Sequence, residues 1–153
     1  MSPANPESTR TVSAAEPAAA QGGETIVVID DDRAIRLSCE KILAKAGYRV
    51  ECFETGAAGL EAVAKLKPAL ALVDLKMPGI SGMDVISRLR EIDPNILIVV
   101  ITGYATIDTA VEAMKAGAYD FVPKPFSPDE LRLIVKRGLD HRRLMLESQQ
   151  AEM

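Results

Sequence analysis

The sequence predicts an α/β domain, a (βα)5 three-layer sandwich on a parallel five-stranded sheet. Two observations carry that expectation. Short continuous β-branched runs, such as Ile96-Leu97-Ile98-Val99-Val100-Ile101, read as strands buried on both faces. Between them lie segments with apolar residues at helical spacing, closed by Gly or Pro.

In chain order, Ile26-Val27-Val28-Ile29 is the first strand, and Ile35, Leu37, Ile42 and Leu43 mark the helix that follows, with Gly47 as its left-handed stop. Arg49–Phe53 is a second strand, its polar alternation placing it at a less buried edge. Leu60, Val63 and Leu66 mark the second helix, closed by Pro68. Ala69–Val73 is the third strand. Val85, Ile86 and Leu89 mark a helix ending before Pro94, and Ile96–Ile101 follows as the fourth strand. Ala110, Val111 and Met114 mark the fourth helix, which stops at Gly117, and Ala118–Val122 is the fifth strand. The last helix opens on a capping box, Ser127-Pro128-Asp129-Glu130, and runs through Leu131, Ile134, Val135 and Leu139.

The composition narrows the function. A chain of 153 residues, 48% apolar, suits one domain that buries roughly 68–70% of its unfolded surface. Acidic residues outnumber basic ones, 22 to 18, which argues against a globally basic nucleic-acid binder. No apolar run approaches the roughly 20 residues that span a bilayer. Residues 1–24 hold almost no large aliphatic side chain and read as a disordered tail. They lack the basic start and apolar stretch of a signal peptide, so a cytoplasmic protein is expected. Cys39 and Cys52 follow no metal or redox spacing and read as small buried hydrophobes.

In an open parallel sheet, ligands bind beyond the carboxyl ends of the strands. The residues there are Asp30, Asp31 and Asp32 after strand one, Asp74 after strand three, Thr102 after strand four, and Lys124-Pro125 after strand five. Clustered carboxylates repel one another, and a hard divalent cation relieves that repulsion. A Lys and a Thr hydroxyl beside them suit phosphoryl oxygens. The residue types therefore predict a Mg2+-dependent phosphoryl site.

The runs "VVIDDD", "LALVDLKMPGISGMDV", "VVITGYA" and "AGAYDFVPKPF" resemble, in that order, the receiver domain of bacterial two-component response regulators, most closely the nitrogen-assimilation type. The resemblance spans 25–144, leaving 145–153 as a helical extension or tail. It implies a flavodoxin-like sheet of order 2-1-3-4-5. It further implies Asp74 as phosphoacceptor, with Asp30, Asp31, Asp74 and the Lys76 carbonyl around Mg2+. Thr102 and Lys124 would contact the phosphoryl group, and Phe121 would turn inward as Thr102 moves. Lys124-Pro125 would be a cis peptide. Lys76 and Tyr104 would tune phosphoryl lifetime, with Tyr104 shielding the acyl phosphate from water. Asp74 would be phosphorylated by a sensor histidine kinase or phosphotransfer protein. Only about ten residues follow Arg143 and no reading helix or wing is among them, so the expectation is a stand-alone receiver acting on a downstream protein without direct nucleic-acid contact, or else a member of a longer partner system. It implies self-catalysed phosphotransfer and autodephosphorylation rather than enzyme turnover.

Plainer readings stand beside these. Asp32 reads better as a helix N-cap than as a ligand, and Asp74 could open a turn at Pro78-Gly79. His141, the single histidine, reads as solvent-facing. Lys136, Arg137, Arg142 and Arg143 read as a helix C-terminus complementing the dipole, as a solvated or partner face, or as a nucleic-acid contact. The terminal helix would reach roughly 33 Å over Pro128 to Gln150. An overhang carrying Leu139, Leu144 and Leu146 could pair with a second copy, giving a homodimer through helices four and five. A competing enzyme reading is a small haloacid-dehalogenase-like phosphatase with Asp30 as nucleophile and Asp32, Thr102 and Lys124 as support. It lacks a later acidic pair and gives Asp74 no role. No Gly-rich fingerprint follows strand one, which disfavours a dinucleotide site.

Overall fold

The computed structural model describes residues 23–103 and 106–151. Five strands, β1 (Thr25–Ile29), β2 (Arg49–Phe53), β3 (Leu70–Asp74), β4 (Leu97–Thr102) and β5 (Asp120–Pro123), form one sheet in the order β2-β1-β3-β4-β5. Every pairing is parallel. The connections are α1 (Arg33–Lys45), α2 (Gly56–Leu66), α3 (Gly82–Ile92) and α4 (Ile107–Ala116), and α5 (Pro128–Ala151) ends the described chain. This is the flavodoxin-like arrangement, with helices on both faces of the sheet.

The strands alternate their side chains between two cores, as a period of two requires. Ile26, Val28, Leu70, Leu72, Val99 and Ile101 face Cys39 and Leu43 of α1 and Leu131, Val135 and Leu139 of α5. Val27, Ile29, Ala71, Val73, Ile98 and Val100 face Leu60 and Val63 of α2, Val85, Ile86 and Leu89 of α3, and Ala113 of α4. Burial on both sides explains why β1, β3 and β4 are written as unbroken aliphatic runs. At the edge, β2 leaves Arg49 and Glu51 exposed.

Each helix start is satisfied by a side chain. Asp32, Thr55 and Ser81 accept from the backbone N–H groups of Ala34, Ala58 and Asp84, and Thr106 forms a capping box with Thr109. At α5, Ser127 Oγ accepts from the Glu130 N–H at 3.1 Å while Glu130 Oε1 accepts from the Ser127 N–H at 2.8 Å. Gly47, with φ 101°, follows α1 in the left-handed region.

Several expectations are corrected. β3 and β4 start and end one residue later than their apolar runs, because Asp74 continues the ladder opposite Ile101 and Thr102 opposite Pro123. β5 starts at Asp120 rather than Ala118. Leu37, Leu66, Val111 and Met114 are exposed, not core, and α4 buries only Ala113 among its described residues. α2 closes not on Pro68 alone but on Lys67 in a left-handed cap, φ 49°. Leu139 lies fully in the core instead of on an overhang, whereas Leu144 is exposed. The helix continues to Ala151, so the basic cluster lies mid-helix and not in its last turn. There Lys136 and Arg143 both pair with Asp140, and Arg143 also pairs with Glu24 at 2.7 Å.

Close approach of α2 to β1 depends on Gly59, where an added Cβ would lie 2.4 Å from Ile29 Cδ1 and 2.5 Å from its Cγ1. Ile29 is itself fully buried and has nowhere to move. Gly59→Ala should therefore lower stability by about 1–3 kcal/mol through overpacking, outweighing the gain of up to about 1 kcal/mol in helix propensity. Urea unfolding measures this, and an unchanged or raised midpoint would refute it.

Candidate functional site

At the carboxyl rim, four strands deliver polar groups to one place. Asp30, directly after β1, is fully buried. Its N–H donates to the Phe53 carbonyl at 3.1 Å, and its Oδ1 accepts from the Asp32 N–H at 2.9 Å. Asp31 is exposed beside it. Asp32 turns away to cap α1, its Oδ1 accepting from Ala34. Asp74, the last residue of β3, is buried, and its Oδ1 accepts from the Lys76 N–H at 3.2 Å. Thr102, the last residue of β4, is buried, and its carbonyl accepts from the Lys124 N–H at 2.9 Å. Lys124 follows β5 and places its Nζ 2.9 Å from Asp30 Oδ2 and 3.2 Å from Asp74 Oδ2. One ammonium thus bridges two buried carboxylates that come from separate strands.

Burial pushes the Asp30 carboxyl above its ordinary range, and the charge of Asp74 pushes the same way, against the Asp32 N–H and Lys124. For Lys124, burial pulls the ammonium down, but Asp30 and Asp74 outweigh it and the net shift is upward. Burial thus dominates at Asp30, whereas at Lys124 the two neighbouring carboxylates together prevail over it. Carboxylate oxygens of Asp30, Asp31 and Asp74 lie within 4.8 Å of one another, a group that could hold a metal. Asp30 Oδ2 is buried and, although ion-paired with Lys124, lies outside hydrogen-bond alignment. A buried, under-satisfied carboxylate oxygen beside two more carboxylates fits a hard divalent cation.

The remaining residues singled out in the sequence fall around this pocket. The Lys124–Pro125 peptide is cis. Lys76 is exposed beside Asp74, and open space surrounds the Cβ position of Gly103. Phe121 is half-buried and packs on the α2–α3 core. Tyr104 lies outside the described residues. His141 is away from the site, exposed, yet stacked on Tyr119 with ring centroids 5.0 Å apart.

Two contributors went unread in the sequence. A Cβ on Gly82 would lie 2.4 Å from Leu75 Cα and 2.6 Å from the Asp74 carbonyl oxygen, so only glycine lets α3 start against the backbone of the acidic strand end. Its sole signal is a helix-start glycine after Ser81. Arg36 donates from Nη1 to the Asp30 carbonyl at 2.8 Å, and helical spacing from the acidic loop was the available clue.

A doubly wound α/β domain with a buried Asp–Lys–Asp bridge and a Thr at its carboxyl rim defines a class of signalling domain. The response regulator receiver domain model matches residues 26–136, and the chain belongs to that family. The chain is 39% identical over 114 residues to the DNA-binding transcriptional regulator NtrC of Escherichia coli, covering 74% of this chain and 24% of that protein. It is 35% identical over 116 residues to sporulation initiation phosphotransferase F of Bacillus subtilis, covering 76% and 94%. Among solved structures, the CheY-like receiver domain from Methanospirillum hungatei aligns at TM-score 0.77 and 32% identity, covering 80% of this chain and 98% of that one. NtrX from Brucella abortus aligns at 0.81 and 30%, covering 85% and 30%. The chain thus spans about a quarter of the length of the first curated relatives, and NtrC and NtrX support likeness to the nitrogen type.

The domain is a two-component receiver, a phosphorylation-activated switch. Receivers accept phosphate from histidine kinases and are not conventional enzymes. The haloacid-dehalogenase-like alternative is not supported: the family match opposes it, and Asp30 is buried with Oδ1 already bound to a main-chain N–H. No helix among the described residues is long and apolar enough to cross a membrane.

Cys39 is buried and feels the charges of Asp30 and Lys124, and Cys52 is half-buried. Burial pushes the Cys39 thiol up to about 12 and the Cys52 thiol to about 11, both from 9.0. Raised folded-state values mean stability that is full below pH 9.0 and is lost as pH climbs towards 11 and 12. Iodoacetamide should therefore modify native protein far more slowly than unfolded protein at pH 8, with Cys52 reacting before Cys39 as pH rises. Peptide mass mapping reads this, and fast labelling of Cys39 at pH 8 would contradict it.

Proposed function

We propose that Asp74 is the phosphoacceptor. A carboxylate oxygen of Asp74 attacks the phosphorus of a phosphohistidine on a sensor kinase or phosphotransfer protein. The new O–P bond forms as the P–N bond breaks, and the departing imidazole takes up a proton. Asp30, Asp31, Asp74 and the Lys76 carbonyl would hold Mg2+, which when bound offsets the charge on the transferring phosphoryl oxygens. The observation that carries this reading is the Lys124 ammonium lying between Asp30 and Asp74, charge already in place for an incoming anion.

The remaining roles follow from position. Lys124 exchanges part of its carboxylate contact for a phosphoryl oxygen, and the Thr102 hydroxyl donates to another. As Thr102 is drawn in, Phe121 turns toward the space it vacates, which couples the pocket to β5 and α4. Roughly two added negative charges at Asp74 drive this shift in a pre-existing balance. Lys76 and Tyr104 set how quickly water removes the phosphoryl group in autodephosphorylation. The domain comprises 25–144, with Glu24 tied to it by the Arg143 ion pair and α5 running past it to Ala151; the tail expected before it lies, up to residue 22, outside the described residues. The domain acts in the cytoplasm through protein contacts with a downstream target. Ile107, Val111 and Met114 form an exposed apolar stripe on α4 at i, i+4 and i+7, which supports a homodimer through α4 and α5.

Incubation with acetyl phosphate and Mg2+ should add one phosphoryl group, mapped to Asp74 by mass spectrometry after borohydride trapping. Asp74→Asn should abolish the label. Asp30→Asn should keep the label on Asp74 but require more Mg2+, by about tenfold or more. A label that survives Asp74→Asn, or maps elsewhere, overturns the assignment.

Lys124→Ala should leave two buried carboxylates without their shared cation, at a cost of about 3–5 kcal/mol where the pair is fully desolvated and less here because the lysine is partly exposed. Addition of Mg2+ should recover more stability in this variant than in the unsubstituted protein. Equal gains, read as shifts in thermal midpoint, would count against a shared site.

A further inference from the structure

The β1–α1 turn that presents Asp30 and Asp31 is held by a side chain that touches neither the acceptor nor any carboxylate oxygen. Arg36, one turn into α1, reaches back and donates from Nη1 to the Asp30 main-chain oxygen at 2.8 Å. Its own main chain is also engaged: the N–H donates to the Asp32 carbonyl at 3.1 Å, and the carbonyl accepts from the Cys52 thiol at 3.6 Å. Arg36 therefore ties the acidic turn to α1 and to β2 together.

For Asp30, the consequences follow atom by atom. The N–H is spent on Phe53, the main-chain oxygen on Arg36, and Oδ1 on the Asp32 N–H. Only Oδ2 points into the pocket, toward Lys124. A buried main-chain carbonyl needs a partner, and without Arg36 the Asp30 carbonyl would meet that need by rotating the Asp30–Asp31 peptide. Such a rotation re-aims both side chains of the acidic pair, since they flank that peptide. The guanidinium also brings a permanent positive charge to a turn carrying Asp30, Asp31 and Asp32.

We infer that Arg36 is a positioning residue for the divalent cation, fixing the direction of the Asp30 and Asp31 carboxylates through the Asp30 carbonyl. The inference rests on the Mg2+ site proposed above. Groups that orient metal ligands from outside the coordination shell typically account for about 10- to 100-fold in metal affinity. Arg36 acts on the main chain of one ligand and not on its carboxylate, which places its effect at the low end, about tenfold.

The test is a Mg2+ titration followed by two-dimensional 1H–15N NMR, in metal-free buffer and without any phosphodonor. Arg36→Met keeps the aliphatic stem and removes the donor. It should weaken Mg2+ binding about tenfold while the thermal midpoint in EDTA changes little. Arg36→Lys, which keeps one donor and the charge, should recover binding to within about threefold of the unsubstituted protein. In the unsubstituted protein the Arg36 side-chain Nε–H resonance should shift with Mg2+ in step with the Asp30 and Asp31 amides, a readout that stands even if Arg36→Met does not fold. Wild-type affinity in Arg36→Met, or an Arg36 resonance indifferent to Mg2+, overturns the positioning role alone. No saturable Mg2+ response in the unsubstituted protein overturns the metal reading on which it rests.

Discussion

Three carboxylates that come from two different strand ends repel one another at the rim of this sheet, and the rest of the pocket is organised around that repulsion. Lys124 is the answer the fold supplies by itself. Its ammonium lies within ion-pair distance of both Asp30 and Asp74, one wholly buried and the other nearly so. An ammonium on a flexible stem suits a switch, because it can move between carboxylate and phosphoryl oxygens where a rigid guanidinium would hold one geometry. Burial raises the Asp30 carboxyl above its ordinary range, and the charge of Asp74 adds to that against the opposing pull of the Asp32 N–H and Lys124.

Bringing these groups together is the task of the two cores. Asp30, Asp74, Thr102 and Lys124 belong to β1, β3, β4 and the residue after β5, and the parallel register aligns the ends of those strands. Aliphatic packing on both faces holds the register, because a slip of one residue would exchange the side chains facing α1 and α5 for those facing α2, α3 and α4. Glycines at 59 and 82 then let helices approach the sheet where a side chain would collide, at Ile29 and at the backbone of Asp74 and Leu75.

Against this rigid centre, α4 is lightly held. It buries one side chain, Ala113, and exposes Ile107, Val111 and Met114. Its far end is pinned: the Arg90 guanidinium donates to the Gly117 carbonyl through Nε and Nη2 at 3.1 and 2.7 Å, and to the Pro94 carbonyl through Nη1. An element with few buried contacts and one anchored end is drawn from the low-stability part of a structure, where small changes in free energy move populations. That is a suitable lever for a signal that begins at the neighbouring strand end.

Local chemistry made much of this legible before any fold was known. Unbroken aliphatic runs declared buried strands, Ser127 and Glu130 declared a capped helix, and Asp30, Asp74, Thr102 and Lys124 stood just past strand ends, where such sheets bind ligands. These signals are written in short stretches of sequence, each with its own local physics. What chain order could not settle was which face or end of an element is used. Helical spacing marked Leu37, Val111 and Met114 as core and helix length put Leu139 on an overhang, and packing reversed each of them, since burial depends on what stands opposite. Gly82 and Arg36 escaped notice for the same reason: a close approach and a donor's target exist only once α3 lies on β3 and α1 folds back on the acidic turn. Residue pattern along the chain was enough to set the class of fold and the chemical types gathered at its rim. Which oxygen of Asp30 faces the pocket emerges once the chain is packed, because that direction is set by bonds to residues from β2, the acidic turn and α1.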